Sequence, residues 1–506
     1  MVGDSLVGVL MMQPEAAVEH DFGATEEAVS DTRRYATLTF VRGALVALAL
    51  ALLSGVFGVL YYIPAISPLL VKIGLDFTAL RPLHTTFASA WIFLGGVAVV
   101  HRYLEDHAGP VTRGDRIRLV AQVSLWLIAG AGILVSLAAG VSSGREYMGF
   151  HPVFSIPILL GWLLFAWNFF RATWRGFWSR PVYVTMWGVG VLFFIFTFVE
   201  QHAWLLPGVF ADPIVDLRVQ WKACGTLVGS FNLFVYGSIY YIAERLSGDK
   251  RYAYSRLAYA LFSVSMLNSF TNFGHHTYHL PQSSIVNWIS FLVSMTEIVI
   301  LARVIWDVAQ MVARRVGGSA FHSVRYFLVS AKWWTIAVLF TAILISIPPV
   351  NTLIHGTHVV TAHAMGSEIG IDTMVLFAGI TLILTEIFRR RSGSDAALHS
   401  KALHRYANGF NVCAALLVVW LNISGSVVGY TRYLVLAQPV WFTVSGPFIF
   451  MGLGLAAGVF LALQLSAWLS LSFRCRRGVI PEATSVAPEP ELVEVTAAPE
   501  TTRMHR

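Results

Sequence analysis

Long apolar runs constrain this chain more than any other feature of its sequence. Blocks of 20 or more mostly apolar residues recur along its 506 residues, and about 20 such residues let an α-helix cross a hydrocarbon core of roughly 30 Å. Charged residues make up only 12% of the chain, against about a quarter in soluble domains. The runs therefore predict an all-α polytopic membrane protein and exclude a soluble enzyme.

Twelve apolar segments, each bounded by charged residues or by Pro and Gly, predict twelve transmembrane helices. The predicted spans are residues 39–63, 80–103, 117–139, 152–172, 183–204, 221–243, 256–276, 286–313, 327–348, 357–387, 409–429 and 440–471. We expect one membrane domain over residues 39–475, after a polar N-terminal segment at residues 1–38. Residues 476–506 are rich in Pro, Glu, Ala and Thr, which predicts a disordered tail.

The net charge of +7 is explained by membrane orientation. Clusters of Arg and Lys follow the even-numbered spans, whereas the loops between them carry two basic residues at most. By the positive-inside rule both termini then lie in the cytoplasm. We expect a protein of the inner membrane, surrounded by lipid and without a nucleic-acid partner. Cys224, Cys413 and Cys475 have no spacing typical of a disulfide framework.

Histidine is the residue type that indicates a functional site in so apolar a chain. The predicted topology puts His84, His275, His276 and His363 at the outer ends of their helices. Ionisable side chains inside a membrane are costly and mark functional sites by default, although any one of these could instead pack an interfacial loop. His363 and Met365 are two apart on a helix and point about 200° apart. They can therefore serve two cofactors on opposite faces, since His and Met are both haem ligands.

Three motifs resemble the catalytic subunit of the haem–copper oxidase superfamily, in particular its nitric oxide reductase and cbb-type oxidase branches. His84 lies in LRPLHT, which resembles the cbb-type motif whose histidine ligates a low-spin haem. His275 and His276 lie in GHHTYH, which resembles the paired histidines of the non-haem metal site. His363 lies in PVNTLIHGTHVVTAHAM, which resembles the nitric oxide reductase stretch that holds the high-spin haem. The likeness covers essentially all twelve spans.

The chain departs from the family pattern at two ligand positions. The second ligand of the low-spin haem is a histidine in the family, and here it is Met365, which can ligate haem or fill the core. The third histidine of the non-haem site, three residues after a Trp, is replaced by Cys224. Cys224 is either a thiolate ligand or a small buried apolar residue. The resemblance implies two non-covalent haems, one low-spin and one high-spin, and one non-haem metal, Fe or Cu.

Acidic residues bear on the choice between the two branches. Oxygen-reducing members carry a redox-active Tyr, and the cbb-type position for it is Ser269 here. Nitric oxide reductases use glutamates instead: Glu297 falls at their span-8 position, whereas Val228 occupies the other. Glu368 and Asp372, four apart on one face of span 10, predict either a proton relay or a structural pair.

The resemblance implies a membrane reductase of a diatomic gas, and the missing Tyr together with Glu297 favours nitric oxide. Electrons would come from a cytochrome c subunit, a soluble cytochrome or a quinol, and the haem site would lie near the outer face. His355 and His358, before span 10, are candidate contacts of haem propionates or plain surface histidines. A divergent oxygen-reducing terminal oxidase and a non-catalytic haem-binding sensor or electron carrier are the alternatives.

Overall fold

The computed structural model describes residues 31–145, 147–315, 321–392 and 396–477, and all regular structure within these ranges is helical. Twelve principal helices follow one another along the chain. They are α1 (Asp31–Leu60), α2 (Phe77–His107), α3 (Arg113–Ala138), α4 (Ser155–Thr173), α5 (Val182–Glu200), α6 (Pro213–Ser247), α7 (Arg256–Thr271), α8 (Ser284–Arg315), α9 (His322–Ser346), α10 (His358–Met365, Gly366–Asp372 and Thr373–Ser392), α11 (Lys401–Tyr433) and α12 (Val440–Arg477).

Short helices connect the principal ones. They are Ser67–Lys72, Pro152–Phe154, Phe177–Ser179, Ala203–Leu205, Pro207–Phe210, Arg251–Tyr254, Phe273–His276, Pro348–Ile354 and Ala396–His399. Polar residues begin several principal helices: Asp76 accepts a hydrogen bond from Ala79 at the start of α2, and Thr112 and Asp115 form a reciprocal capping box at the start of α3. Such caps satisfy backbone N–H groups that lack a partner within the helix.

Eleven of the described helices are long and apolar enough to cross a membrane, so the polytopic all-α fold is confirmed. The exception among the twelve predicted spans is residues 256–276. There α7 ends at Thr271, and a four-residue helix, Phe273–His276, follows it. The first span begins earlier than expected, because α1 already starts at Asp31. The predicted N-terminal segment is otherwise outside the described residues, and so is the tail beyond Arg477.

The middle of α10 is π-helical. This wide turn covers Gly366–Asp372 and carries both acidic residues of span 10. The Thr373 hydroxyl donates to the Glu368 carbonyl (2.7 Å). Gly370 permits the close approach of α9, because a Cβ at this position would lie 2.2 Å from the Trp334 ring. Single π turns inside α-helices are often found at functional sites.

Buried ion pairs fix one end of the bundle. This is the end that carries the basic loops after α2, α4, α6, α8 and α10, and we call it the basic end. Arg102 of α2 is 1% exposed and contacts Asp106 (2.8 Å) and Glu386 of α10 (2.6 Å). Arg245 of α6 also binds Glu386 (2.8 Å). Since buried charges persist only when paired, this cluster holds α2, α6 and α10 in a fixed register.

The opposite end is where α2, α6, α8 and α10 begin, and we call it the histidine end. Along the Thr373–Ser392 part, α10 packs on α2: Trp91 donates to the Thr373 hydroxyl (3.0 Å) and packs edge-on against Phe377 (5.4 Å). The His358–Met365 part packs mainly on α11 instead. The two helices therefore diverge toward the histidine end.

Candidate haem and metal site

His84 of α2 is oriented by the neighbouring helix α1. Its Nδ1 lies 2.8 Å from the Ala51 carbonyl, which can only accept, so Nδ1 carries the hydrogen and Nε2 keeps its lone pair. Metal-ligating imidazoles typically donate their other N–H in this way. Gly55 of α1 makes room for the ring, because a Cβ there would lie 3.0 Å from Nδ1.

His275 is oriented in the same manner by α7 and α8. Its backbone N–H donates to the Ser290 hydroxyl (3.0 Å). The Ser294 hydroxyl donates to Oδ1 of Asn268 (2.7 Å) and lies 3.2 Å from His275 Nδ1. Because Ser294 donates its only hydroxyl hydrogen to Asn268, its oxygen accepts a hydrogen bond from His275 Nδ1–H. The Nε2 atom of His275 is then the one available to a metal.

The structure brings three of the predicted histidines together. The His275 and His276 ring centroids lie 4.4 Å apart, and the His276 ring is parallel to Trp221 of α6 at 5.9 Å. His363 of α10 is close enough to interact electrostatically with both His275 and His276. His363 of span 10 therefore lies near the histidine pair of span 7 at the histidine end.

Glu297 is connected to the histidine pair by side-chain hydrogen bonds. It lies in the middle of α8 and is 5% exposed. The Asn268 amide group donates to its carboxylate, and the Asn268 carbonyl accepts from Ser294, which in turn contacts His275. Three hydrogen bonds thus join a buried carboxylate to the His275 imidazole. We call this series the Glu297 chain.

Tyr236 of α6 is a site residue that the sequence did not reveal. It is buried, it forms a hydrogen bond with Glu297, and it is close enough to Asp372 to interact electrostatically with that residue. Asp372 is buried as well and lies near Glu368 within the π-helical turn. Tyr236 thereby joins the predicted acids of α8 to those of α10. It stands among several aromatic residues on α6, and no spacing in the sequence separates it from the others.

Comparison with known proteins decides the family. Residues 36–445 match the family model described as cytochrome c and quinol oxidase polypeptide I. The chain belongs to this family. No curated protein matches it. Among solved structures, a haem–copper terminal oxidase dimer studied by cryo-EM is similar, with a TM-score of 0.62, 15% identity, and coverage of 89% of this chain and 85% of that one. At this identity the structural likeness shows the fold alone.

As a polypeptide I of the haem–copper oxidase superfamily, the protein is a multi-pass membrane oxidoreductase of respiratory electron transport. Members of the family bind haems and a copper or non-haem metal, take electrons from donors such as cytochrome c or quinol, and act on small gaseous substrates.

The histidines of this oxidase subunit fit imidazole-ligated haem. His84 and His363 are enclosed by the bundle, yet each keeps some accessible surface, as side chains that border an interior space do. Nδ1 of His363 is buried and has no hydrogen-bond partner among the described residues, which is costly in a closed core. Together with the divergence of α2 and α10, these features match a space for large planar groups between the two helices.

The two departures from the family pattern have different surroundings. Met365 packs against a small apolar cluster formed by Ala362 with Leu417 and Leu421 of α11, a different set of neighbours from that of His363. The buried Cys224 faces Gln201, the residue that follows α5, whose Nε2 lies 3.1 Å from the Cys224 Sγ. Among the described residues, no three His, Cys, Asp or Glu side chains are close enough together to hold a metal ion. Cys224 therefore does not join the histidine pair in this structure.

His355 and His358 lie where α10 begins. Nδ1 of His358 is 2.7 Å from the Ser424 hydroxyl of α11. The His355 ring lies 4.4 Å from that of His279, and its carbonyl accepts from Arg432 (2.8 Å). Burial, together with His279 and Arg432, lowers the pKa of His355. His355 is therefore neutral at pH 7 and can meet an anionic group only as a hydrogen-bond donor.

Proposed function

We propose that this oxidase-family protein reduces nitric oxide between a haem held by His363 and a non-haem metal held by His275 and His276. The Glu297 chain is the observation that supports this choice. A carboxylate in the middle of a span is costly unless it is paired, hydrated or protonated. No basic residue lies within one turn of Glu297 on α8, and its partners Asn268 and Tyr236 are neutral, so a cationic metal site linked through His275 would stabilise its charge.

The side chains divide the work of proton delivery and metal positioning. When bound, the two metals supply the electrons and hold the gas. Ser294, together with Ser290, fixes the tautomer of His275, so that Nε2 would be the nitrogen that holds the metal. Glu297 holds a proton close to the site, and Tyr236 and Asp372 resupply it from the π-helical turn. Reducing two NO molecules to N2O and water consumes two protons and two electrons, so a buried acid with its own relay suits the reaction.

In this proposal, electrons enter the protein through the second haem. His84 and Met365 would hold that low-spin haem, and α10 would link it to the high-spin haem because it carries both Met365 and His363. The donor would be a cytochrome c subunit, a soluble cytochrome or a quinol, acting at the outer face of the inner membrane with both termini in the cytoplasm. Neutral His355 and His358 would donate hydrogen bonds to haem propionates, and Cys224 would complete the non-haem site after a rearrangement at α6.

Oxygen reduction is the second candidate function, and Tyr236 is the observation in its favour. A buried tyrosine beside Glu297 could supply a hydrogen atom near the site. It lies three helical turns beyond Cys224, however, and the cbb-type tyrosine position holds Ser269, whose hydroxyl donates to the Ser265 carbonyl (2.8 Å). We therefore favour nitric oxide.

The substitution Glu297→Gln tests the proposal. It keeps the size of the side chain and removes its proton-transfer function, which typically contributes about 10²–10⁴-fold to a rate. We expect NO consumption by the purified protein to fall by at least about 100-fold while haem content stays constant. Thr296→Val is the control, because Thr296 is exposed on the same helix and bonds only to the Leu292 carbonyl (2.8 Å). Unchanged NO turnover in Glu297→Gln would refute the assigned role.

A further inference from the structure

An apolar groove lies at the basic end, away from the histidines. It occupies about 540 Å³ between the end of α4 and the start of α5. The apolar residues that line it are Phe170, Trp174, Phe177, Trp178, Val189 and Leu192. Trp174 and Trp178 are each 73% exposed. Exposed tryptophans at the end of a transmembrane helix are typical of the level at which lipid headgroups meet the hydrocarbon.

The groove is held in shape by its own connection. Gly176 adopts a left-handed conformation (φ 69°), which L side chains rarely take, and this turns the chain between the helices. Phe177 is buried and packs edge-on against Trp178 at 5.0 Å. The Ser179 hydroxyl donates to the Gly176 carbonyl (2.8 Å). A ligand would therefore meet a largely formed surface.

Three arginines lie close in sequence to the residues that line the groove, and they differ in their partners. Arg171 is engaged by Asp115 (2.5 Å). Arg175, between two lining residues, is exposed and forms no ion pair in the described part of the chain. Arg180 donates to the Tyr103 hydroxyl (3.0 Å) and to the Ala172 and Arg175 carbonyls (3.4 Å each). The Arg175 guanidinium thus remains available to an anion, and Arg180 adds a second positive charge close to it.

We propose that this groove binds one anionic phospholipid, with an acyl chain along the aromatic side chains and the phosphate at Arg175. A guanidinium group can bind two phosphate oxygens through two parallel hydrogen bonds. Basic pockets beside transmembrane helices select anionic headgroups. The volume is in the range of ligand pockets. A zwitterionic lipid offers the same phosphate but brings an ammonium group that the positive charge of Arg175 repels. The site is independent of the proposed nitric oxide reduction.

Lipid retention by the purified full-length protein tests the site. The protein in detergent is exposed to phosphatidylglycerol or to phosphatidylcholine with the same acyl chains, and bound lipid is counted by native mass spectrometry. We expect one retained phosphatidylglycerol and markedly less phosphatidylcholine. Arg175→Gln should weaken phosphatidylglycerol retention about tenfold, since it removes a charge-assisted hydrogen bond, and Trp178→Ser should weaken retention as well.

Arg325→Gln is the matched control, because Arg325 is an exposed arginine at the start of α9, a helix that does not line the groove. Its retention of phosphatidylglycerol should equal that of the wild type. Equal retention of both lipids by the wild type, unaffected by Arg175→Gln, would overturn the proposal. A wild-type dimer that Trp178→Ser separates without any change in bound lipid would also overturn it, and would assign the groove to contact between two copies.

Discussion

At the scale of single residues, Ser294 sets which nitrogen of His275 is available to a metal. Ser294→Ala removes the nearer of two acceptors for Nδ1–H, the other being the Ser290 hydroxyl at 3.3 Å, and loss of such a partner typically lowers metal affinity 10–100-fold. We expect non-haem metal to be lost while haem content stays constant, as measured by elemental analysis and a haem spectrum on one sample. Thr296→Ala, on the exposed side of α8, should retain the metal. Full metal occupancy in Ser294→Ala would show that His275 is oriented by other contacts.

Met365 poses a separate question at this scale, because its side chain packs against Ala362 and α11. A thioether ligand raises the reduction potential of a haem relative to a second histidine. Met365→His should therefore lower the midpoint potential of the low-spin haem in a redox titration and keep its low-spin spectrum. Met365→Leu, which preserves the apolar volume, should lose that spectrum. If both variants keep the wild-type potential and spectrum, Met365 only fills the core.

Sequence analysis identified the candidate site residues whose burial in a membrane costs free energy. Histidines and Glu297 stand out against apolar neighbours, and the structure places His275, His276 and His363 together. Ser294, Asn268 and Tyr236 could not be found in this way, because neutral polar side chains are common in spans and their role depends on which helices meet. The orientation of Cys224 toward Gln201 likewise depends on the packing of α5 against α6.

At the scale of helices, the approach of α1 to α2 positions His84. Gly55→Ala would place a methyl group 3.0 Å from His84 Nδ1 and displace the ring from the Ala51 carbonyl. We expect a changed low-spin haem spectrum or reduced occupancy of that haem, with the high-spin haem retained. Gly58→Ala, one turn along α1, is the control, since no described atom lies within 4 Å of its Cβ. Identical haem spectra for the two variants would show that His84 does not ligate the low-spin haem.

The helices themselves were largely predictable, and their exceptions have physical reasons. Apolar runs locate the part of a helix inside the hydrocarbon, so α1 and α12 extend beyond their predicted spans into polar sequence. The span at residues 256–276 is interrupted at Asn272, whose side chain donates to the Gly225 carbonyl of α6 (2.9 Å). The π-helical turn of α10 could not be predicted from hydrophobic periodicity, because one extra residue in a turn hardly changes the pattern of apolar positions.

At the scale of the whole molecule, the bundle is closed at one end and divergent at the other. The buried cluster around Arg102 and Glu386 joins α2 to α6 and α10 at the basic end, and Trp91 continues the contact of α2 with α10. Beyond Thr373 the helices separate, and the histidines lie in this part. One fold thus combines a rigid base with a part where α2 and α10 are not in close contact, and the candidate ligands lie on packed helices rather than on loops.

The most direct test measures NO and oxygen consumption by one purified sample of the full-length protein in which haem and metal have been counted. The account predicts two haems and one non-haem metal per chain, and NO consumption that clearly exceeds oxygen consumption under the same electron donor. Rapid oxygen consumption with little NO turnover would contradict it in favour of a terminal oxidase. Bound haem with no non-haem metal and no turnover of either gas would contradict it in favour of a sensor.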